Sequence, residues 1–270
     1  MKAQALALIA FIFCLTAAQA KTVTGNGKII TKEVSVESYD KIELGGSINY
    51  SGNSMGKKES PCFYYTQGKN SPLKITIDEN LFPLLEIRSS HNCLTIRTDN
   101  NTQIKPTRFT IEGSSKELKE IDICNCLDFR AQNSIKGESL EIGISGSSDV
   151  VFEHPVQLKS CDFSISGSGD VRFSDLNCID LEGSVSGSGD IFLKGKAEKA
   201  DYSVSGSGDI SAYDFSVKNV ECSVSGSGDA KVYATDDLNL SVSGSGEIKY
   251  KGPANVRQSK SGSGSIHRAN

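Results

Sequence analysis

The stretch Ser184-Val-Ser-Gly-Ser-Gly-Asp190 recurs, with few changes, throughout the second half of the chain. Copies begin at Gly143 and Ser164 before it and at Ser203, Ser223, Ser241 and Ser259 after it, and a degenerate copy, Asp122-Ile-Cys-Asn-Cys-Leu-Asp128, precedes them all. Successive copies start 18–21 residues apart. Chance low complexity does not keep such spacing; a stacked repeat does.

The residues on either side of the phrase decide what is stacked. With its first residue as position zero, plus one reads Ile123, Ile144, Ile165, Val185, Val204, Val224 and Val242. Minus three reads Leu140, Cys161, Leu181, Ala200, Val220, Leu238 and Val256, and plus seven reads Phe129, Val150, Val171, Ile191, Ile210, Ala230, Ile248 and Ile266. Apolar residues at alternate positions mark half-buried strands. Each repeat is therefore strand, Ser-Gly turn, strand and return. One unit cannot bury its own apolar side, but stacked copies can.

The expected fold is all-β: a single-stranded parallel β-helix, or solenoid, of 18–21 residues per rung and right-handed sense, with eight rungs from Asp122 onward. Glycine at plus three and plus five is expected to permit positive φ at a tight corner. In the last rung Lys260 replaces the β-branched residue at plus one and Gln258 stands at minus one, a polar end that blunts an open edge.

Composition agrees. Of 270 residues 26 are Gly, 17 of them from Gly143 onward; Pro numbers 6 and Trp is absent. Collagen is excluded because glycine is not every third residue, and a long helical protein because Gly disfavours helix interiors. Patterned Val, Ile, Leu and Phe argue against disorder. A net charge of −4 leaves no electrostatic footprint for nucleic acid.

Residues 1–20 have the form of a cleaved signal peptide: Lys2, an apolar Ala5–Leu15 and the small-x-small site Ala18-Gln19-Ala20. No stretch is long enough to span a bilayer as a helix. The expected organisation is a signal at 1–20, an irregular β-rich region at 21–117 stacked on the solenoid, and the regular β-helix with its polar cap at 118–270. In the middle region, strands are expected at Val34–Val36, Lys41–Leu44, Leu73–Ile77, Leu84–Arg88 and Leu94–Thr98. A short helical or turn excursion over Asp78–Phe82, ended by Pro83, and a loop over Gly52–Asn70 complete that region.

Several segments together resemble the bacterial putative auto-transporter adhesin family with a head GIN domain. They are Ser38-Tyr39-Asp40-Lys41-Ile42-Glu43, Gly45-Gly46-Ser47, Leu73 to Leu81, Cys93-Leu94-Thr95-Ile96-Arg97 and the Ser-Gly-Ser-Gly-Asp rungs, spread over roughly 22–266. The resemblance implies an exported, β-helical, non-enzymatic protein acting in adhesion at the cell surface, with no ligand residues to transfer.

The acidic column at plus six, Asp128, Asp149, Asp170, Asp190, Asp209, Asp229 and Glu247, is the main chemical feature. Stacked carboxylates about 5 Å apart repel by up to about 1 kcal/mol per pair in water, so something offsets them. Ca²⁺ bound by Asp149, Asp170, Asp190, Asp209, Asp229 and Glu247 is one reading; the favoured one is that each Asp accepts backbone N–H groups of its own turn. No metal or other cofactor is otherwise expected.

A β-helix can also act on polysaccharide, which requires two carboxylates at one special place. Here the carboxylates recur alike on every rung, and His91, His154 and His267 are scattered; no catalytic residue is assigned. The rung serines lack a base, and the glycine-rich turns lack the helix N-terminus of a phosphate loop. Of the cysteines, Cys161, Cys178 and Cys222 fall in inward columns, while Cys62 and Cys93 are the candidate disulfide.

The function expected is an exported adhesin-like or cell-envelope protein whose extended β-helical surface binds an unknown glycan or protein. It would be a monomer or small homo-oligomer, in the periplasm, on the cell surface or secreted. The alternatives are a polysaccharide-active enzyme and a polymerising scaffold.

Overall fold

The computed structural model describes residues 21–49, 60–99 and 101–269; the signal segment 1–20 lies outside them. The chain forms a parallel β-helix with three walls. Wall one stacks Glu120–Ile123, Ser139–Ile144, Ser160–Ile165 and Asp180–Val185, then 199–204, 219–224 and 237–242, and ends on Asn255–Lys260. Wall two carries Asp128–Ala131, Val150–Phe152, 171–173, 191–193 and their successors down to Ser265–Arg268. A third wall on the return joins Ile135–Lys136, Val156–Gln157 and 176–177 and continues through 195–197, 215–217 and 233–234.

The register keeps each sequence column intact: Leu140 lies beside Cys161, Cys161 beside Leu181, and Leu181 beside Ala200. The inward columns are buried along the whole stack, from Ile121 and Ile123 to Val242 and Ile248. On wall two, Phe129 stacks between Phe63 and Phe152 at centroid separations of 6.0 and 5.9 Å, and Phe152 lies on Phe173 at 4.5 Å. One column admits no side chain on its middle rung: the Phe163 ring occupies the space a Cβ on Gly183 would take.

Corner glycines are required for a reason other than the expected one. None from Gly146 to Gly246 at plus three or plus five has positive φ. Their need is proximity: a Cβ on Gly187 would lie 2.0 Å from the Gly167 carbonyl oxygen, and one on Gly189 1.9 Å from that of Gly169. The corner strands stack backbone on backbone. At this corner only the final rung has positive φ, at Gly262.

The N-terminal region continues both main walls and then closes them with antiparallel strands. Lys41–Leu44 pairs in parallel with Glu120–Ile123 on one side and with Cys93–Thr98 on the other, and Leu85–Ser90 turns back antiparallel on the latter. His91 and Asn92, both at positive φ, form that two-residue hairpin turn. On wall two, Cys62–Gln67 pairs with Asp128–Ala131 and with Phe109–Ser115. Antiparallel Ser71–Asp78 and Ile29–Val34 follow.

Three sequence expectations need correction. Cys62–Gln67 is a strand within the expected loop at 52–70, because alternate Phe63 and Tyr65 enter the core. The strand expected at Val34–Val36 instead runs over Ile29–Val34, paired with Ser71–Asp78. The excursion expected over Asp78–Phe82 is a turn at 79–81, but Pro83 does not end it: the chain runs on into the 3₁₀ segment Phe82–Leu84.

Two segments quoted for the family resemblance are structural devices. Gly46 has φ +88° and no room for a Cβ beside Thr98, whose Oγ1 accepts the Ser47 N–H at 2.8 Å. Asp78 is fully buried and accepts the N–H groups of Gly27 and Thr107, each at 2.7 Å. It therefore ties two distant loops to the end of the stack.

Candidate functional site

The plus-six column is a hydrogen-bonded ladder. Asp149 N–H donates to Asp128 Oδ1 at 3.0 Å, Asp170 N–H to Asp149 at 3.2 Å, and Asp190 N–H to Asp170 at 2.9 Å. Asp209, Asp229 and Glu247 continue it at 2.8, 2.7 and 2.7 Å. Each carboxylate from Asp128 to Asp229 thus takes the backbone N–H of the following rung, not of its own turn as the sequence reading had it. Such charge-assisted bonds offset the repulsion between neighbours. Burial pushes the Asp149 carboxyl above its ordinary value, opposed by that backbone hydrogen bond. Among the described residues no three His, Cys, Asp or Glu side chains converge on a metal-sized space. The six calcium candidates stand one per rung.

A second acidic column went unread in the sequence. At minus two, Glu120, Glu141, Asp162, Glu182, Asp201 and Glu221 lie side by side on the outer face of wall one. All but the first are exposed. Lys41 adjoins Glu120 as an ion pair at one end, and Arg257 follows Asn239 at the other. Burial, with Glu141 and Asp180 nearby, raises the Asp162 carboxyl. The signal was present: it is the polar half of the same alternation whose apolar half defined the core.

Wall two has a different outer face. Arg130, Val151, Arg172, Phe192, Ser211, Lys231 and Lys249 follow one another in register. The Arg172 guanidinium lies 3.7 Å above the Phe192 ring and bonds Asp170 at 2.7 Å; Lys251 Nζ lies 4.3 Å above Tyr213. Past Arg130 this face reaches the antiparallel N-terminal strands and becomes an open trough of about 800 Å³.

The histidines do not meet. His91 is the hairpin turn, His154 is exposed before Pro155, and His267 lies on the last rung, 3.8 Å from Glu247. All seven cysteines of the described residues are free. Cys62 begins a strand of wall two and Cys93 a strand of wall one, and the two strands do not pair, so the expected disulfide is absent. Cys161 and Cys222 are buried in the core columns, with Cys178 packed at their side.

The family described as "Putative auto-transporter adhesin, head GIN domain" matches residues 57–174 and 141–254. The chain belongs to this family. Its rungs and N-terminal closure recur in solved structures. A "putative adhesin" of Parabacteroides merdae is 32% identical, with a TM-score of 0.82 over 93% of this chain and 100% of that one. A "Putative lipid binding protein" of Parabacteroides distasonis is also 32% identical, with a TM-score of 0.85 and the same coverage. A "putative adhesin" of Bacteroides fragilis is 25% identical, with a TM-score of 0.67 over 92% of this chain and 100% of that one. No curated protein matches the chain. Within this head GIN family fold, no helix of the described residues is long and apolar enough to cross a membrane.

Proposed function

We propose that the protein is an exported, non-enzymatic surface protein that holds a glycan or protein partner along the outer faces of a rigid solenoid, as an adhesin does. The observation that carries this reading is the pair of long outer faces. On wall one, carboxylates repeat at rung spacing from Glu120 to Glu221; on wall two, the cations Arg130, Arg172, Lys231 and Lys249 share one column with Val151, Phe192 and Ser211. A flat array of like groups suits many weak simultaneous contacts, whose sum gives retention without a deep pocket. Catalysis needs the opposite, a few unlike groups converging at one point.

The family and the neighbours called adhesins support this reading. The lipid-binding name belongs to one neighbour, and it supplies an arm for the test. Purified chain is passed over coats of extracellular-matrix protein, mixed glycans and phospholipid, with released reducing ends measured in parallel. Retention on a protein or glycan coat without release of sugar is expected. Release of reducing ends from a polysaccharide, with no retention on any coat, would overturn the reading.

A further inference from the structure

We infer that the trough over the N-terminal part of wall two is a saccharide site for a neutral glycan segment. The inference rests on the surface-binding reading above and gives it a place and a ligand class.

The place is where repetition fails. Ser71–Asp78 runs antiparallel between Ile29–Val34 and Phe109–Ser115, and the register shifts between Glu112 and Ser114. Such a bulge bends a sheet and re-aims its side chains. One outward row crosses the strands as Glu33, Lys74, Glu112 and Tyr64. A second row, one pleat on, is Ser71, Ser114 and Thr66. Arg108 and Gln132 complete the lining. At about 800 Å³ the trough has the size of a small-molecule site but stays open along its length, as a chain ligand needs.

The lining chemistry selects the ligand. Tyr64, half-buried, is the one aromatic ring among the lining residues; an aromatic ring is the group on which the apolar C–H side of a pyranose rests. Around it stand groups that bond hydroxyls in both directions: carboxylates accept, the ammonium and guanidinium donate, and Ser, Thr and Gln do both. The charges balance, with Glu33 and Glu112 against Lys74 and Arg108, so neither a polyanion nor a polycation gains net attraction. Lys74 and Glu112 form a loose, exposed ion pair at 3.7 Å, a contact weak enough to open for ligand hydroxyls. An acyl chain would find only Tyr64 and Pro72 as apolar partners and would strand the surrounding charges against hydrocarbon.

The test is a glycan array bearing neutral, uronic and sulfated oligosaccharides, followed by titration calorimetry with the strongest neutral hit and by phosphatidylcholine vesicle binding. Wild-type chain is expected to bind neutral glycans. Tyr64→Ala should weaken that binding by about tenfold with an unchanged melting temperature, whereas His154→Ala, at an exposed position on neither outer face, should leave it intact. If Tyr64→Ala does not fold, Glu112→Gln and Thr66→Ala serve in its place. Binding only to charged glycans or to vesicles, or wild-type affinity in Tyr64→Ala and both substitutes, would overturn the inference. Retention on a matrix coat that survives these variants would defeat the inference and leave the surface-binding reading standing.

Discussion

The regular rungs and the N-terminal closure are built from the same parallel walls, yet they offer a partner different things. From Glu120 onward each rung copies its neighbour's backbone, so the outward column of wall one is uniformly acidic to Glu221 and the Ser-Gly corners stack backbone on backbone. Before it, strands pair in both directions, a bulge enters at Gly113, and unlike side chains meet in one trough. Repetition yields a rod with long faces. Interrupting it yields a place where a single ligand can be told from others.

The seam between these regions is the first thing to break. Phe129 is fully buried between Phe63 and Tyr65 on one side and Phe152 on the other. Phe129→Ala should cost about 3–5 kcal/mol, measured by denaturant unfolding. If the halves form one cooperative stack, the transition stays single; two transitions would show that they unfold apart.

The corners sharpen the contrast. Gly187→Val should cost about 3 kcal/mol because the clashing atom is backbone of the rung beneath and cannot step aside. In the N-terminal region nothing lies within 4 Å of a Cβ added to Gly68, so Gly68→Ala should change stability by less than about 0.5 kcal/mol. Equal losses at the two sites would refute the account of the corner.

The smallest effect is electrostatic and belongs to the rungs and their junction. Asp122, Asp149 and Asp162 have carboxyls raised first by burial and then by neighbouring carboxylates. Raised acids hold protons more tightly in the folded chain than in the unfolded one. Stability therefore falls as pH rises from the unfolded value of 3.8 through their raised values. These groups should lift the melting temperature slightly as pH drops from neutrality toward 4, and Asp162→Asn should flatten the slope. A wild-type slope that Asp162→Asn leaves unaltered would contradict the assignment for that group.

How much the sequence disclosed follows the same division. The core columns, from Ile123 to Val242, were legible because a strict repeat turns one period-two reading into many agreeing ones. The outward ladder from Glu120 to Glu221 uses the same register, but polar positions on an outer face mix carboxylates with Ser, Lys and Asn, so the column stands out only once the register is known. The role of the corner glycines was misread, since close approach of stacked backbones leaves no trace in composition that separates it from positive φ. Cys62–Gln67 was hidden by the loop-like residues that precede it. The trough was beyond reach, because Glu33, Tyr64, Lys74 and Glu112 are brought together only by a non-sequential order of strands.

That division of labour is tested most directly by hydrogen exchange of the full chain with and without the strongest neutral oligosaccharide from the array. The account predicts added protection at Cys62–Gln67, Ser71–Asp78 and Phe109–Ser115 and none along the outer strands at 160–242. Protection running down the rungs while those three strands stay unchanged would contradict it.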